Sequence, residues 1–292
     1  MAIYNKGGSV LTNAYSVNGN ELNNAYDING GLVFDKGGVD YTDYSFTQKW
    51  ASKGVSYSQG FDIYDGKVFW VSKSGDSTIP SNCYVWNLSD GSQAFESAYV
   101  TIYSGHGNNL AFAYPNVYCS PAYPPSRAFA NTVSSNLQTF TLDKTLVFDD
   151  GSTDCDVCID ETDNTIMWTL GHTNDHTDLS APFYISKWDL DDLTDNGDDT
   201  YTPNMLSTVS TPQPSSSYYF QGCRMHDGLM WFPSGNGSGR AYVYAVNPNT
   251  GNVEYTIDLE TNTEPEGLAW IGNTLYVGFQ GMMMREYTFA PL

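Results

Sequence analysis

Six polar residues stand at nearly equivalent places along the chain: Gln59, His106, Asn108, Asp154, Gln221 and Glu266. Each lies at or near the start of a short, strand-like run such as Gln59-Gly60-Phe61-Asp62-Ile63 or Gln221-Gly222-Cys223-Arg224-Met225. Polar side chains brought to a common axis can bind a ligand, order a water chain or satisfy one another as plugs. Asp154, Asp156, Glu264 and Glu266 together carry enough oxygen for a hard cation such as calcium. No Gly-x-Ser-x-Gly elbow and no Ser-His-Asp grouping is present, so the chain reads as a non-enzyme with no catalytic residue and no cofactor.

Other candidate chemistry is weaker. His172, Asp175 and His176 fall close together, a pattern that fits a small metal site or plain loop polarity. Cys155 and Cys158 have C-x-x-C spacing, but no second pair follows, and three residues apart on a strand the side chains face opposite ways. The acidic run 189–199 lacks the EF-hand spacing, and its Asn196-Gly197 reads as a hairpin turn inside a solvated insertion.

The elements that must position these residues are short strands. Helical periodicity is absent, and runs such as Val68-Phe69-Trp70-Val71 and Leu229-Met230-Trp231-Phe232 each follow a turn signal, Asp65-Gly66 or Asp227-Gly228. Anchors at 60, 107, 155, 222 and 267 lie 47, 48, 67 and 45 residues apart, close to the roughly 40–50 residues of a four-stranded blade. The fold expected is all-β: a β-propeller of about five four-stranded blades over residues 46–292. Phe46–Trp50 is expected to supply the outer strand of the last blade and so close the ring.

Residues 1–45 are different. Asn13-Ala14-Tyr15-Ser16-Val17-Asn18-Gly19 recurs as Asn24-Ala25-Tyr26-Asp27-Ile28-Asn29-Gly30, which predicts two small hairpins. Such a piece buries little surface alone and is expected to be an adaptor that docks on another chain or self-associates.

The bulk composition narrows the partners. With 12 Lys and Arg against 33 Asp and Glu, the 292-residue chain carries a net charge of −21, which disfavours nucleic acid and anionic membrane surfaces. Five cysteines and no apolar leader argue against a disulfide framework and against membrane insertion. The 22 tyrosines suit exposed platforms as well as core, and Tyr114, Tyr123, Trp188, Tyr218 and Tyr219 are candidates for stacking on sugar rings.

Ser58-Gln59-Gly60-Phe61 and Gly105-His106-Gly107-Asn108, with the five-blade spacing, resemble the propeller domains of phage receptor-binding proteins and of proteins named teichoic acid biosynthesis protein C. The N-terminal Tyr-Asp-Ile-Asn-Gly is similar to the start of phage tail proteins. The resemblance implies a virion or tail protein, often a homotrimer, attached to other virion proteins through residues 1–45 and released by lysis. Its ligand would be a bacterial surface glycan, and the acidic charge fits a neutral polysaccharide better than anionic teichoic acid. Glu264-Pro265-Glu266-Gly267 also resembles the metal-binding region of gluconolactonase-type propellers, which implies the alternative of a calcium-dependent lactonase or lyase. A purely structural decoration protein is the second alternative.

Overall fold

The structure is a computed structural model; it describes residues 39–73, 80–121, 124–173, 181–214 and 220–291, and the backbone of four short strands before them. Two compact units emerge, residues 1–45 with 288–292, and residues 46–287.

In the first unit, β1 (Ala14–Tyr15) pairs with β2 (Glu21–Leu22) and β3 (Asn24–Tyr26) with β4 (Leu32–Asp35), both antiparallel. Each copy of the repeated segment thus opens a strand pair. The Asn-Gly dipeptides themselves lie outside the described residues.

The second unit is built from four-stranded antiparallel meanders. One comprises β6 (Ser58–Tyr64), β7 (Lys67–Ser72), β8 (Ser81–Asn87) and β9 (Tyr99–Ile102). Strands β10 (Asn109–Ala113), β11 (Asn116–Ser120), β12 (Arg127–Val133) and β13 (Phe140–Val147) form the next. It joins β14 (Asp154–Ile159), β15 (Ile166–His172), β16 (Phe183–Gly197) and β17 (Thr200–Thr211) in an eight-stranded sheet through a parallel β13–β17 contact. Strands β18 (Arg224–His226), β19 (Leu229–Ser234), β20 (Tyr242–Val246) and β21 (Val253–Asp258) make another sheet. In the last, β22 (Pro265–Ile271), β23 (Thr274–Phe279) and β24 (Met283–Pro291) are completed by β5 (Val39–Trp50) as the outer strand, as expected for Phe46–Trp50. This is the all-β, propeller-type fold expected from the repeat.

The alternation that defines the strands also defines the cores between sheets. Phe69, Val71, Cys83 and Val85 pack with Leu110, Val117 and Phe140 of the neighbouring meander. Cys158, Leu170, Phe183 and Ile185 pack against Phe232 and Val246 in the same manner. Cys155 belongs to a different cluster from Cys158, so the two thiols face opposite sides of β14, and all five cysteines are free and buried.

The run 189–199 is the solvated hairpin insertion expected, but it is regular strand and its turn lies elsewhere. It is the outer part of a long β16–β17 hairpin whose pairing runs to Gly197↔Thr200, and the turn is Asp198-Asp199 rather than Asn196-Gly197. Both turn aspartates have positive φ (52° and 61°), the conformation of a two-residue hairpin turn that suits the strand twist. Leu190, Leu193 and Tyr201 fold back onto the core cluster of Ala111, Leu146 and Trp188, which holds the arm in place.

The inner strands meet around one cation. Arg224 on β18 lies 3.1 Å from Asp62 on β6 and donates to the carbonyls of Phe61 (2.8 Å), Cys223 (2.8 Å) and Leu110, and to Asn109 Oδ1 (3.1 Å). Asn109 Nδ2 in turn donates to the carbonyls of Val157 on β14 and Cys223. The backbones approach so closely that a Cβ at Gly60 would run into the carbonyl of Asn108, while Gly60 N donates to Gly107 O at 2.9 Å. Burial pushes the Asp62 carboxyl up; the Arg224 guanidinium and the N–H groups of Phe112 and Ile63 oppose it. Removing one partner of a buried ion pair strands the other, at about 3–5 kcal/mol. Arg224→Met is therefore expected to destabilise the chain by about that much in urea unfolding, and Asp62→Asn in the same chain to recover part of the loss.

Candidate functional site

Just before the residues that gather around Arg224, the same inner strands open into a cavity of about 750 Å³. Gln59, His106, Asn108, Asp154, Gln221 and Glu266 all line it, together with Asp156, His172 and Glu264. The repeat explains this convergence: equivalent positions of successive inner strands face a common space. Tyr57, Lys73 and Gln280 also contribute, and nothing in the repeat singles them out, because each stands in a connection rather than at an anchor.

The polar contacts are uneven. Glu264 accepts from Gln221 Nε2 at 2.8 Å and from Gln280 Nε2 at 2.6 Å, so both its oxygens are held. Asp156 accepts from Ser120 Oγ at 3.0 Å and from the N–H of Gly222 at 2.9 Å. Gln59 Nε2 donates to Ser58 O at 2.9 Å. By contrast Gln59 Oε1, Gln221 Oε1 and Glu266 Oε2 are buried without a hydrogen-bond partner among the described residues. Three unmatched acceptors in one cavity are costly for folding alone and mark a place where polar groups of a ligand could dock.

Burial dominates the electrostatics. Glu266 is 1% exposed, and desolvation, reinforced by the Glu264 charge, raises its carboxyl well above the usual range; Gln280 and Lys73 oppose the shift. Asp156 is pushed up to about 7, again by burial first, with Gly222 and Ser120 holding it back and Asp154 adding to the rise. Glu264 is raised by burial and held back by Gln221. Burial therefore favours the protonated form of Glu266, which can donate a proton beside the less buried carboxyl of Glu264. Such a pair can support acid–base chemistry. At the rim, Tyr57 is 74% exposed and holds a positive φ of 55°, an unusual conformation for a bulky residue.

Several expectations need correction. Asp154, Asp156, Glu264 and Glu266 share the cavity, but among the described residues no three His, Cys, Asp or Glu side chains are grouped as a metal ion requires. His172 lines the cavity with its ring 5.1 Å from Phe220, whereas Asp175 and His176 lie outside the described residues. Trp188 is no stacking platform: it is fully buried against Phe148, and its indole N–H donates to Thr169 Oγ1 at 3.0 Å. Strand alternation turns it inward between Lys187 and Asp189. Tyr114 is surface-exposed but not part of this cavity, and Tyr123, Tyr218 and Tyr219 fall outside the described residues.

No family model and no curated protein matches the sequence. Among solved structures, glutaminyl cyclase from Myxococcus xanthus superposes with a TM-score of 0.56 at 12% identity, over 85% of this chain and 97% of that one. A gluconolactonase from Xanthomonas campestris aligns at a TM-score of 0.45 and 9% identity, covering 87% and 95% of the two chains. A chain of a nidogen/laminin complex gives 0.43 at 13%, covering 77% and 73%. At such identities the likeness to the cyclase shows the fold alone. The expectation of a non-enzyme is corrected to this extent: the fold shared over 85% of the chain is also that of a named enzyme, so it gives no ground for excluding catalysis. No motif in the sequence marks carboxyls whose acidity is set by burial.

The raised Asp156 has a consequence for stability. The folded protein prefers this carboxyl protonated, so its contribution is complete below the ordinary aspartate range and is lost as pH climbs through about 7. The loss is on the order of 4 kcal/mol. Thermal melts from about pH 5 to about pH 8 should show the chain weakening, and Asp156→Asn should flatten the slope; an unchanged slope would contradict the assignment.

Proposed function

We propose that the chain is an acid–base enzyme whose active site is this cavity, in a five-bladed propeller with each meander as one blade. The observation that carries the reading is the pairing of buried Glu266, whose protonated form desolvation favours, with Glu264, whose two oxygens are fixed by Gln221 and Gln280. Two carboxyls in environments of different solvation are suited to divide the roles of proton donor and proton acceptor. The reaction class that fits is acyl transfer at a carbonyl of a small polar substrate. Glu266 protonates the oxygen or leaving group, and the Glu264 carboxylate takes a proton from the attacking amine or water. Lactone hydrolysis, and ring closure of the kind the name glutaminyl cyclase denotes, are both members of this class. The amide oxygens of Gln59 and Gln221 orient N–H or O–H groups of the substrate.

Lactones and peptides with N-terminal glutamine are the first substrates to assay. Glu266→Gln keeps the shape and removes the proton, and it should lower kcat by about 100-fold or more while the fold survives. For the native chain, the rate should fall as pH rises through the elevated value of Glu266, because the donor is then lost. Dialysis against EDTA should leave turnover unchanged. Failure of the native chain to turn over either substrate class, or full activity in Glu266→Gln, would contradict the proposal.

A separate observation, the duplicated strand pair at the N-terminus, supports attachment as the role of residues 1–45; the resemblance to phage tail proteins would make the partners virion proteins and the assembly a homotrimer. Light scattering on the full chain should then give three times the monomer mass; a monomer would count against it.

A further inference from the structure

The β16–β17 arm builds a second concavity. Where it folds back over the edge of the β10–β13 meander, Leu190 and Leu193 form one wall of a groove of about 360 Å³ that shares no residue with the axial cavity. Its other lining combines an aromatic platform with a dense set of hydrogen-bonding groups: Tyr114, Asn116, Tyr118, Asp143, Asn164 and Asp191. Tyr114 is 42% exposed, yet its ring is already fixed by a stack: it lies 5.8 Å from Tyr64 at 7°, and Tyr64 lies 5.1 Å from Phe112 at 6°. A ring held in place loses little freedom when a ligand settles on it. Burial lifts the Tyr118 phenol to about 12, so it remains an O–H donor, while Asp143 and Asp191 are acceptors and the two asparagines can act as both.

Those features select a ligand class. An aromatic face beside amides and carboxylates matches a pyranose, whose C–H face stacks and whose hydroxyls both donate and accept. Charge restricts the choice further. Two carboxylates face the groove against the single ammonium of Lys144, which is already engaged 3.3 Å from Asp143 and 5.5 Å from the Tyr201 ring centroid. A phosphate- or uronate-bearing polymer would be repelled. We propose that this groove binds a neutral, hexose-containing saccharide, with Tyr114 as the stacking platform and Asn116, Asn164, Asp143 and Asp191 contacting its hydroxyls. The site does not depend on the acid–base reading of the axial cavity.

Saturation-transfer NMR on the full chain tests this, with maltose, cellobiose, lactose and mannobiose each at about 10 mM and poly(glycerol phosphate) as the anionic comparison. At least one disaccharide should receive saturation. Tyr114→Ala should weaken it about tenfold, and Tyr114→Phe, which keeps the ring, should not. Asp191→Ala should also weaken binding, and Glu266→Gln should leave it unchanged. No transfer to any of the four sugars would overturn the proposal, as would preference for the anionic polymer or equal binding by Tyr114→Ala. Loss in Glu266→Gln with retention in Tyr114→Ala would place the sugar in the axial cavity and overturn it equally.

Discussion

One buried cation organises the propeller unit. Arg224 reaches from β18 to carbonyls on β6 and β10 and to the carboxylate of Asp62, and Asn109 extends the network to β14. A guanidinium in this position is tolerable only because nearly every donor has an acceptor. The requirement is mutual: the inner strands must converge closely enough for one side chain to touch them, and the missing Cβ of Gly60 lets them do so. Hydrophobic packing between sheets supplies the bulk of the stability, but it is non-directional and would tolerate many arrangements. The hub supplies direction and sets the register of the inner strands against one another.

The cavity follows from the hub. Gln59 precedes Asp62 by three residues, Asp154 precedes Val157 by three, and Gln221 precedes Arg224 by three. Fixing the later residue of each pair on the hub therefore fixes where the earlier one opens. Asp156 lies between the two layers, with Gly222 N–H and Ser120 holding its oxygens. The low-dielectric surroundings created by the packed inner strands are what raise Glu266 and Asp156. Acidity in this site is a property of packing more than of residue type.

That distinction explains what could and could not be read from the sequence. The strands, the repeat spacing and the convergence of the anchor residues were legible, because equivalent positions in a repeat face equivalent surroundings. The state of Glu266 was not, because nothing in Glu264-Pro265-Glu266-Gly267 records how deeply the second glutamate is buried. Trp188 misleads because its charged neighbours suggest a surface, whereas alternation along β16 buries it. The regular strand at 189–199 is hidden for a related reason. Its aspartates have low strand propensity, but Leu190, Leu193 and Tyr201 anchor it and β13 pairs with it across the sheet. Lys73, Tyr57 and Gln280 enter the cavity from connections, where no periodicity applies.

The account rests on Glu266 being protonated at neutral pH, and infrared difference spectroscopy can observe that proton directly. Spectra of the native chain and of Glu266→Gln, recorded at pH 7, should differ by one carboxylic-acid carbonyl band that persists well above the ordinary glutamate range as pH is raised. If the native chain shows only carboxylate bands at pH 7, with no acid carbonyl lost on substitution, Glu266 is ionised and the proposed proton donor does not exist.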